Sequence, residues 1–351
     1  MDQRGNVSIC TRRSEKTNGI KRGRVEESIV LKRKRSNDAD CDKFEDLLAK
    51  YQEIDTQSMK MMKKVPQIVL GRYVIDTWYP SPYPTMFYPE NKLYICENCL
   101  SYTSTQRFLK HHQANECPRN KNSPPGARIY YEKPSKTADG LALFEIDGKM
   151  DTTFAQNLCL LAKLFMDQKT LYFDVALFHF FVLYRHDKDG YHIVGYFSKE
   201  KLSPENYNLS CIVILPPYQR HGYGSLLISI SYEISKYHGQ VGTPERPLST
   251  HGRAAYVEYW KYTILNEISI PKCKLSVEQL SHRTGIMPQD ITDVLLSCNI
   301  VRSISIVDQC IINGSCRKVQ AQYQALRPLR LCNSRLFSWK KSSAKPNGMK
   351  S

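Results

Sequence analysis

The sequence has no apolar run long enough to cross a bilayer. Its longest apolar stretch, Val175–Tyr184, is interrupted by His179 and is much shorter than the roughly 20 residues that a spanning helix needs. The first twenty residues carry charges throughout and lack the apolar segment of a secretory signal. We therefore expect a soluble protein with no membrane partner that is not secreted. Its twelve cysteines are then reduced and serve metal ligation, packing or thiol chemistry instead of disulfides.

Acidic residues are scarce as well. There are 34 Asp and Glu against 50 Lys and Arg, and the formal net charge is +16. Such a charge favours an acidic partner, for which nucleic acid, a histone acidic patch and a phosphate-rich cofactor are all candidates. With 41% hydrophobic residues, the 351-residue chain is long enough to bury a core and to form about two domains.

Composition divides the chain into five segments. Residues 1–64 are charged and poor in core-forming residues, so we expect a basic disordered arm. Its clusters Lys21–Arg24 and Lys32–Arg35 are typical of a solvated tail or of a nuclear address. The other predicted segments are an N-terminal part with a metal finger (65–126), a central core (127–266), a helix-turn-helix-like part (267–316) and a basic tail that ends disordered (317–351).

Hydrophobic periodicity predicts a mixed fold with strands and helices. Apolar residues spaced three and four apart predict helices, and short apolar runs between turn residues predict core strands of an antiparallel sheet. A glycine between two short helical patterns predicts the helix-turn-helix-like module, which is more often a packing element than a DNA reader. The predicted elements are helices at Asp151–Met166, Tyr223–Tyr237 and Arg253–Leu265, strands at Phe178–Tyr184, His192–Phe197 and Leu209–Leu215, and the module at 275–302.

A metal-binding pattern occurs in the N-terminal part. Cys96, Cys99, His112 and Cys117 form C-x2-C-x12-H-x4-C, a spacing that brings three thiolates and one imidazole around a tetrahedral ion. Zinc is the predicted occupant, and His111 remains an alternative to His112. Since protein groups fill all four positions, the site is expected to be structural. The alternative is a coincidental group of buried thiols.

A glycine-containing turn follows the last predicted strand. The segment Gln219–Ser225 lies between a strand ending at Leu215 and a helix. Glycines let the backbone approach a ligand, and the first N–H groups of the helix suit a pyrophosphate, with Arg220 adding a cation. The turn is neither a Walker A loop nor a dinucleotide fingerprint. A plain tight turn remains possible, but Arg/Gln-x-x-Gly-x-Gly between a strand and a helix is what acyl-CoA transferases use.

Six further stretches stand beside the zinc spacing: Tyr73–Pro84, Pro124–Gly126, Gln156–Val175, Val194–Lys201, Tyr207–Gly224 and Gly242–Ser249. In combination, these motifs resemble the MYST family of lysine acetyltransferases, and their sequence is most similar to the MOF branch of that family. The resemblance covers roughly residues 66–300. It implies an α+β fold: a GCN5-type N-acetyltransferase core with a mixed, mostly antiparallel sheet and helices, flanked by a C2HC zinc finger and a C-terminal helix-turn-helix-like part.

The resemblance also implies a role for individual residues. The catalytic base corresponds to Glu245, the active-site cysteine to Cys211 and the lysine that the family acetylates on itself to Lys169. Acetyl-CoA is the implied co-substrate and Zn²⁺ the implied structural metal. The implied acetyl-CoA contacts are Ile212, Val213, Ile214, Gln219, Arg220, His221, Gly222, Tyr223, Gly224, Ser225 and Ser249.

Acid–base chemistry gives an independent reason for these roles. A free lysine has a pKa near 10.4, so at neutral pH some base must take its proton before it becomes nucleophilic. Glu245 suits this role if partial burial beside Pro244 and Pro247 makes it more basic; otherwise it is a loop carboxylate paired with Arg246 or solvent. For Cys211 we favour a packing or assisting role with direct attack of lysine on the thioester, and an acetyl-cysteine intermediate as the second choice.

The implied function is histone lysine N-acetylation in chromatin and transcription regulation, with histone H4 favoured. It implies a nuclear protein that acts on histone tails or nucleosomes within a multi-subunit chromatin complex, with non-specific DNA contact through the basic tails. Four departures from the family pattern lie at the wall of the acetyl-CoA site: Ser229, Thr250, His251 and Glu258. They motivate the alternative of a catalytically weakened chromatin-binding scaffold with the same fold.

Overall fold

The computed structural model describes residues 65–84, 91–119, 124–167, 174–270, 274–300, 312–313 and 317–339. The predictions for residues 1–64, for Lys169 and for the end of the basic tail (340–351) lie outside these residues. None of the described helices has both the length and the apolarity that a bilayer-spanning segment needs.

The N-terminal part is built on a four-stranded sheet. Its strands are β1 (Gln67–Leu70), β2 (Tyr73–Asp76), β3 (Lys92–Ile95) and β4 (Tyr102–Thr103), in the order β2-β1-β3-β4. Strand β1 pairs antiparallel with β2 and parallel with β3, and β3 forms an antiparallel pair with β4. A short helix, α1 (Gln106–His111), follows, with Thr105 capping it by accepting a hydrogen bond from the amide of Phe108.

The central sheet has five strands, and every neighbouring pair is antiparallel. They are β5 (Ala127–Glu132), β6 (Gly140–Asp147), β7 (Phe178–Asp187), β8 (Gly190–Glu200) and β10 (Ile212–Ile214), in the order β10-β8-β7-β6-β5. Helix α2 (Thr152–Lys163) buries the apolar residues Phe154, Leu158 and Leu161 in the core. The predicted α+β fold with a mostly antiparallel sheet is confirmed.

One predicted strand is divided in the structure. The apolar run Leu209–Leu215 contains the end of β9 (Tyr207–Leu209) and, after Ser210 and Cys211, strand β10. Strand β9 pairs in parallel with β11 (Thr243–Pro244), whereas β10 pairs with β8. The two halves separate because they have different partners, and the later chain segment β11 is brought beside β9.

Helices cover the C-terminal half. They are α3 (Tyr223–Tyr237), α4 (Thr250–Ile268), α5 (Val277–Thr284), α6 (Pro288–Ser297) and α7 (Arg317–Gln324), with the two-stranded pair β12 (Lys274–Leu275) and β13 (Ile312–Asn313). Helices α3 and α4 join through Trp260, whose Nε1 donates to the Tyr232 hydroxyl at 2.8 Å. Gly285 ends α5 with a left-handed φ of 73°, so it separates α5 from α6 as the sequence predicts.

The segment expected to be a basic tail is folded over its described residues. It begins with α7, and Phe337 further along is 0% exposed. The Phe337 ring stacks on Trp339 with centroids 4.3 Å apart, and the Ser338 amide donates to the Ile129 carbonyl of β5 at 2.9 Å. A few large apolar side chains therefore fix residues 326–339 to the core despite the basic composition around them.

Candidate functional site

The four predicted metal ligands converge at one point. Cys96 and Cys99 lie in the turn between β3 and β4, His112 follows α1, and Cys117 follows a π-helical turn at His112–Glu116. Their ligand atoms all lie within 4.8 Å of one another. The turn that carries the first two cysteines is closed by backbone hydrogen bonds from Leu100 to Cys96 and from Cys96 to Ser101, each 2.8 Å long.

The spacing of these atoms fits a tetrahedral zinc ion. Two thiolates that are each about 2.3 Å from such an ion are about 3.8 Å apart, and the sulfurs of Cys96 and Cys117 are 3.8 Å apart. The sulfur of Cys99 is 3.1 Å from Nε2 of His112, somewhat closer than the roughly 3.6 Å expected for a bound pair. The donor set therefore suits Zn²⁺ with no open position for water.

The ionisation of the clustered thiols also bears on metal binding. The hydrogen bond with Cys96 holds the pKa of the Cys99 thiol well below its usual range, whereas burial raises the pKa of Cys117. Three neighbouring thiolates repel one another, so a divalent cation is what allows all three to ionise together.

The structure decides between the two candidate histidines. The ring of His112 lies in the cluster, whereas His111 is exposed and its Nδ1 lies 3.3 Å from a carboxylate oxygen of Glu116. His111 therefore points away from the ligand set.

The predicted cofactor turn has an unusual backbone. A short 3₁₀ turn at Pro216–Tyr218 follows β10, and then Arg220 and Gly222 both adopt left-handed conformations, with φ of 63° and 78°. Gly222 is the N-cap of α3. The Gln219 side chain donates to the Ile214 carbonyl at 2.9 Å, which joins the turn to β10. The His221 ring contacts the Gln219 carbonyl at 2.7 Å within the turn.

The start of α3 offers unpaired amides to a ligand. Within the described residues, the backbone N–H groups of Tyr223, Gly224 and Ser225 have no hydrogen-bonding partner. Apart from the backbone of its own helix, a Cβ placed on Gly224 would meet no atom within 4 Å, so open space lies beside Gly224 at the start of the helix. The positive end of the helix dipole and the free donors suit a diphosphate.

Strand β10 adds a second set of backbone groups. It is the edge strand of the five-stranded sheet, so one side of Ile212, Val213 and Ile214 is not paired with another strand of that sheet. Backbone groups that face outward at this edge are free of strand pairing within the described sheet.

Cys211 lies at the break between β9 and β10. Its amide donates to the hydroxyl of Ser198 at 3.2 Å, and its carbonyl accepts from the Ser198 amide at 2.8 Å. Ser198 is buried and Cys211 is partly exposed. These bonds fix Cys211 against Ser198 of β8 at the break between the two strands.

Glu245 follows β11 directly and is joined to the same region. Its amide donates to the Leu209 carbonyl at 2.9 Å, which places it beside the end of β9, two residues before Cys211. The partial burial that would make Glu245 more basic is not observed, because the side chain is exposed to solvent, as one of the alternatives left open by the sequence has it. The suggested pairing with Arg246 is also absent: Arg246 binds Asp290, and the Glu245 carboxylate has no partner within the described part of the chain.

Ser249 and Ser229 make structural hydrogen bonds, whereas the other three departures from the family pattern lie on the surface. Ser249 caps α4 by accepting a hydrogen bond from the Gly252 amide at 3.1 Å. Ser229 is buried on α3 and accepts a hydrogen bond from the Cys332 amide at 2.9 Å. Thr250, His251 and Glu258 are exposed on α4. Ser229 therefore binds the C-terminal segment at its hydroxyl.

Sequence reasoning missed one residue beside the turn. The Arg330 guanidinium lies 4.6 Å from the centre of the Tyr223 ring, and a Cβ on Gly222 would come within 2.9 Å of the Arg330 Cβ. Arg330 also lies 3.8 Å from Glu132. It is about one hundred residues from the turn in sequence, so no local signal predicts this contact.

Two protein-family profiles match this chain. The profile of the MOZ/SAS family matches residues 123–332, and that of the MYST family zinc finger domain matches residues 62–117. "Histone acetyltransferase of the MYST family 1" from Arabidopsis thaliana is 45% identical over 258 residues, which are 72% of this chain and 56% of the relative.

Two animal relatives are similar over alignments of comparable length. "Histone acetyltransferase MOF" from Drosophila melanogaster is 43% identical over 253 residues, 71% of this chain and 29% of the relative. "Histone acetyltransferase KAT6A" from Homo sapiens is 48% identical over 234 residues, 66% of this chain and 11% of the relative. The chain thus spans about half the length of the plant relative and less of the other two. The family match covers more than half of the sequence, and the chain belongs to the MOZ/SAS family, with a MYST zinc finger domain in its N-terminal part.

Proposed function

We propose that this chain is a histone lysine N-acetyltransferase that transfers the acetyl group of acetyl-CoA to a lysine side-chain amine. The observation that carries the proposal is the turn Gln219–Ser225, which presents unpaired amides beside open space at the start of α3. That arrangement suits the diphosphate of coenzyme A, and the adjoining edge strand leads from it to Cys211.

The remaining groups support acyl transfer to an amine. Glu245 accepts a proton from the substrate ammonium, and the neutral nitrogen then attacks the thioester carbonyl. Amides of Ile212–Ile214 stabilise the negative charge that develops on the carbonyl oxygen. A new C–N bond forms as the C–S bond breaks, and the sulfur leaves with a proton as coenzyme A. Because Glu245 is exposed in the free chain, the bound substrate supplies the surface that shields it.

Zinc has a structural role in this proposal. Cys96, Cys99, His112 and Cys117 hold the ion and thereby join the β3–β4 turn to α1. The metal takes no part in acetyl transfer.

The substrate is a histone tail, and histone H4 is the first candidate because of the likeness to the MOF branch. Relatives named as histone acetyltransferases support a chromatin substrate. A chromatin substrate implies a nuclear location, association with a chromatin complex and non-specific DNA contact through the basic ends of the chain.

Turnover assays on histone-tail peptides test the proposal. Zinc-loaded protein, Glu245→Gln and the matched control Glu278→Gln are compared for release of coenzyme A and for peptide acetylation. Glu278 is an exposed glutamate on α5. We expect Glu245→Gln to be about 10²- to 10⁴-fold slower than the unaltered chain, which is the usual contribution of a general base, and Glu278→Gln to be unchanged. Equal rates at background level for all three proteins would contradict the proposal and favour the scaffold alternative.

A further inference from the structure

The loop that carries Glu245 is held by the helix-turn-helix-like module. Its first residue, Gly242, donates its amide to the Gly285 carbonyl at 2.8 Å and accepts from the Met287 amide at 3.1 Å. These two bonds form an isolated parallel bridge between Gly242 and Ile286. The turn between α5 and α6 therefore fixes the entry to the loop.

The exit of the loop is fixed by an ion pair with the same module. The guanidinium of Arg246 donates to a carboxylate oxygen of Asp290 on α6. Asp290 is 1% exposed, whereas the Arg246 side chain is half exposed and reaches inward from the surface. A buried carboxylate that loses its partner is strongly disfavoured, so this contact has a defined geometry in the folded chain.

Burial is the main influence on the Asp290 carboxylate. Desolvation raises its pKa, and the guanidinium of Arg246 opposes that effect. Arg246 belongs to the Glu245 loop and directly follows the glutamate. The loop and the buried acid thus stabilise each other.

Glu245 has no contact of its own that would orient it. Its carboxylate has no partner within the described residues, and its position depends on its backbone, which is bonded to Leu209. Leu209 fixes one side of the loop through β9, and the module fixes the other. Displacement of the loop by about 1 Å would therefore move the base relative to the thioester.

From these contacts we infer that Asp290 is a positioning residue for acetyl transfer: acting through Arg246, it fixes the loop that presents Glu245, so that the helix-turn-helix-like module serves the reaction. The inference rests on the proposed function. It assigns the module a role at the active site in addition to any packing role.

The first test compares Asp290→Asn with the matched control Asp293→Asn. Asp293 lies on the same helix, is exposed and accepts a hydrogen bond from Gln289 at 3.2 Å. We expect Asp290→Asn to lower kcat by about 10- to 100-fold, the usual effect of a small misplacement, with the KM for acetyl-CoA little changed. Asp293→Asn keeps both constants. Arg246→Gln removes the same ion pair from the half-exposed side of the contact, and it should reproduce the loss in kcat if Asp290→Asn folds poorly.

The second test asks whether the effect passes through Glu245. In a Glu245→Gln background, assayed at high pH where the substrate amine deprotonates without a base, Asp290→Asn should cause no further loss. An equal fractional loss in both backgrounds would mean a general structural effect and would overturn the inference.

Hydrogen exchange gives a readout that does not depend on activity. Asp290→Asn should increase exchange of the amides in residues 242–246, including the Glu245 amide that bonds to Leu209, while Asp293→Asn leaves it unchanged. Unchanged exchange in Asp290→Asn overturns the inference even if acetylation is observed. If the unaltered chain transfers no acetyl group but the exchange result is as expected, the proposed function fails and loop positioning stands.

Discussion

The Nδ1 atom of His192 lies 3.0 Å from a carboxylate oxygen of Glu97, which joins strand β8 to the turn between the first two zinc-finger cysteines. Its Nε2 atom lies 3.0 Å from Asp187, which also contacts Arg72 and Arg185. The hydrogen bond to Glu97, followed by contacts with Asp187, raises the pKa of His192 above its usual value against the opposing effect of burial. His192 therefore connects the finger to the central sheet through two carboxylates.

Stability should depend on pH through this contact. Since the pKa of His192 is raised in the folded state, its contribution is fully present below about pH 6.5, the unfolded value, and is lost as pH rises through the folded pKa. We expect His192→Gln to lower the free energy of unfolding by about 1–3 kcal/mol at pH 6, the usual value of a charge-assisted hydrogen bond, and by less at pH 9. Denaturant unfolding at both pH values measures this, with the exposed His238→Gln as control. A difference that is independent of pH would contradict the assignment.

Zinc content should separate the two neighbouring histidines. His112→Ala removes a ligand atom from the cluster, whereas His111→Ala removes only a surface contact with Glu116. We expect elemental analysis to find one zinc per chain in the unaltered protein and in His111→Ala, and much less in His112→Ala. The thermal midpoint should fall in His112→Ala and after chelation, because metal binding contributes to folding free energy. Full zinc occupancy in His112→Ala would show that His112 is not the ligand.

Two glycines of the cofactor turn should respond in opposite ways. Gly224→Ala meets no atom within 4 Å and lies in a helix, so the protein should gain up to about 1 kcal/mol of stability. The added methyl group occupies the space beside the unpaired amides, and we expect affinity for coenzyme A to fall by roughly tenfold or more.

Gly222→Ala should instead destabilise the fold. Its φ of 78° and the Arg330 Cβ at 2.9 Å leave no room for a methyl group, and left-handed backbone alone costs about 1–2 kcal/mol. Calorimetric titration with coenzyme A and thermal unfolding of both variants test the pair. Unchanged affinity in Gly224→Ala would show that the open space is not a ligand site.

Cys211 distinguishes the two routes of acetyl transfer. Direct attack by the lysine predicts that Cys211→Ala keeps kcat within about tenfold of the unaltered chain, because the thiol serves only for packing or assistance. The acetyl-cysteine route predicts loss of turnover and double-displacement kinetics. Initial rates over a grid of both substrate concentrations, with intact mass measured after exposure to acetyl-CoA alone, distinguish the two. A stable mass gain of one acetyl group that Cys211→Ala abolishes would support the second route.

Local patterns predicted those parts of the fold that depend on local chemistry. The spacing of Cys96, Cys99, His112 and Cys117 predicted the metal cluster, and the glycines after β10 predicted the turn at the start of α3. The division of Leu209–Leu215 into two strands was not predicted, because the run is continuously apolar and its break depends on pairing with β11 and Ser198. Periodicity carries no information about such distant partners.

Long-range contacts explain the other differences. Phe337 and Trp339 fold a segment whose composition predicts a tail, and Arg330 reaches a turn far from it in sequence. In the sequence, nothing distinguishes Asp290 from other acidic residues on short helices. Only the structure shows that it pairs with Arg246.

Mass spectrometry of nucleosomes incubated with the zinc-loaded chain and isotope-labelled acetyl-CoA tests the central claim most directly, since it reports activity and modified lysine together. The account predicts labelled acetyl-lysine on a histone tail, at a rate that Glu245→Gln reduces by at least about a hundredfold. Labelling no higher than in a sample without the protein, from material that is folded and carries its zinc, would contradict it.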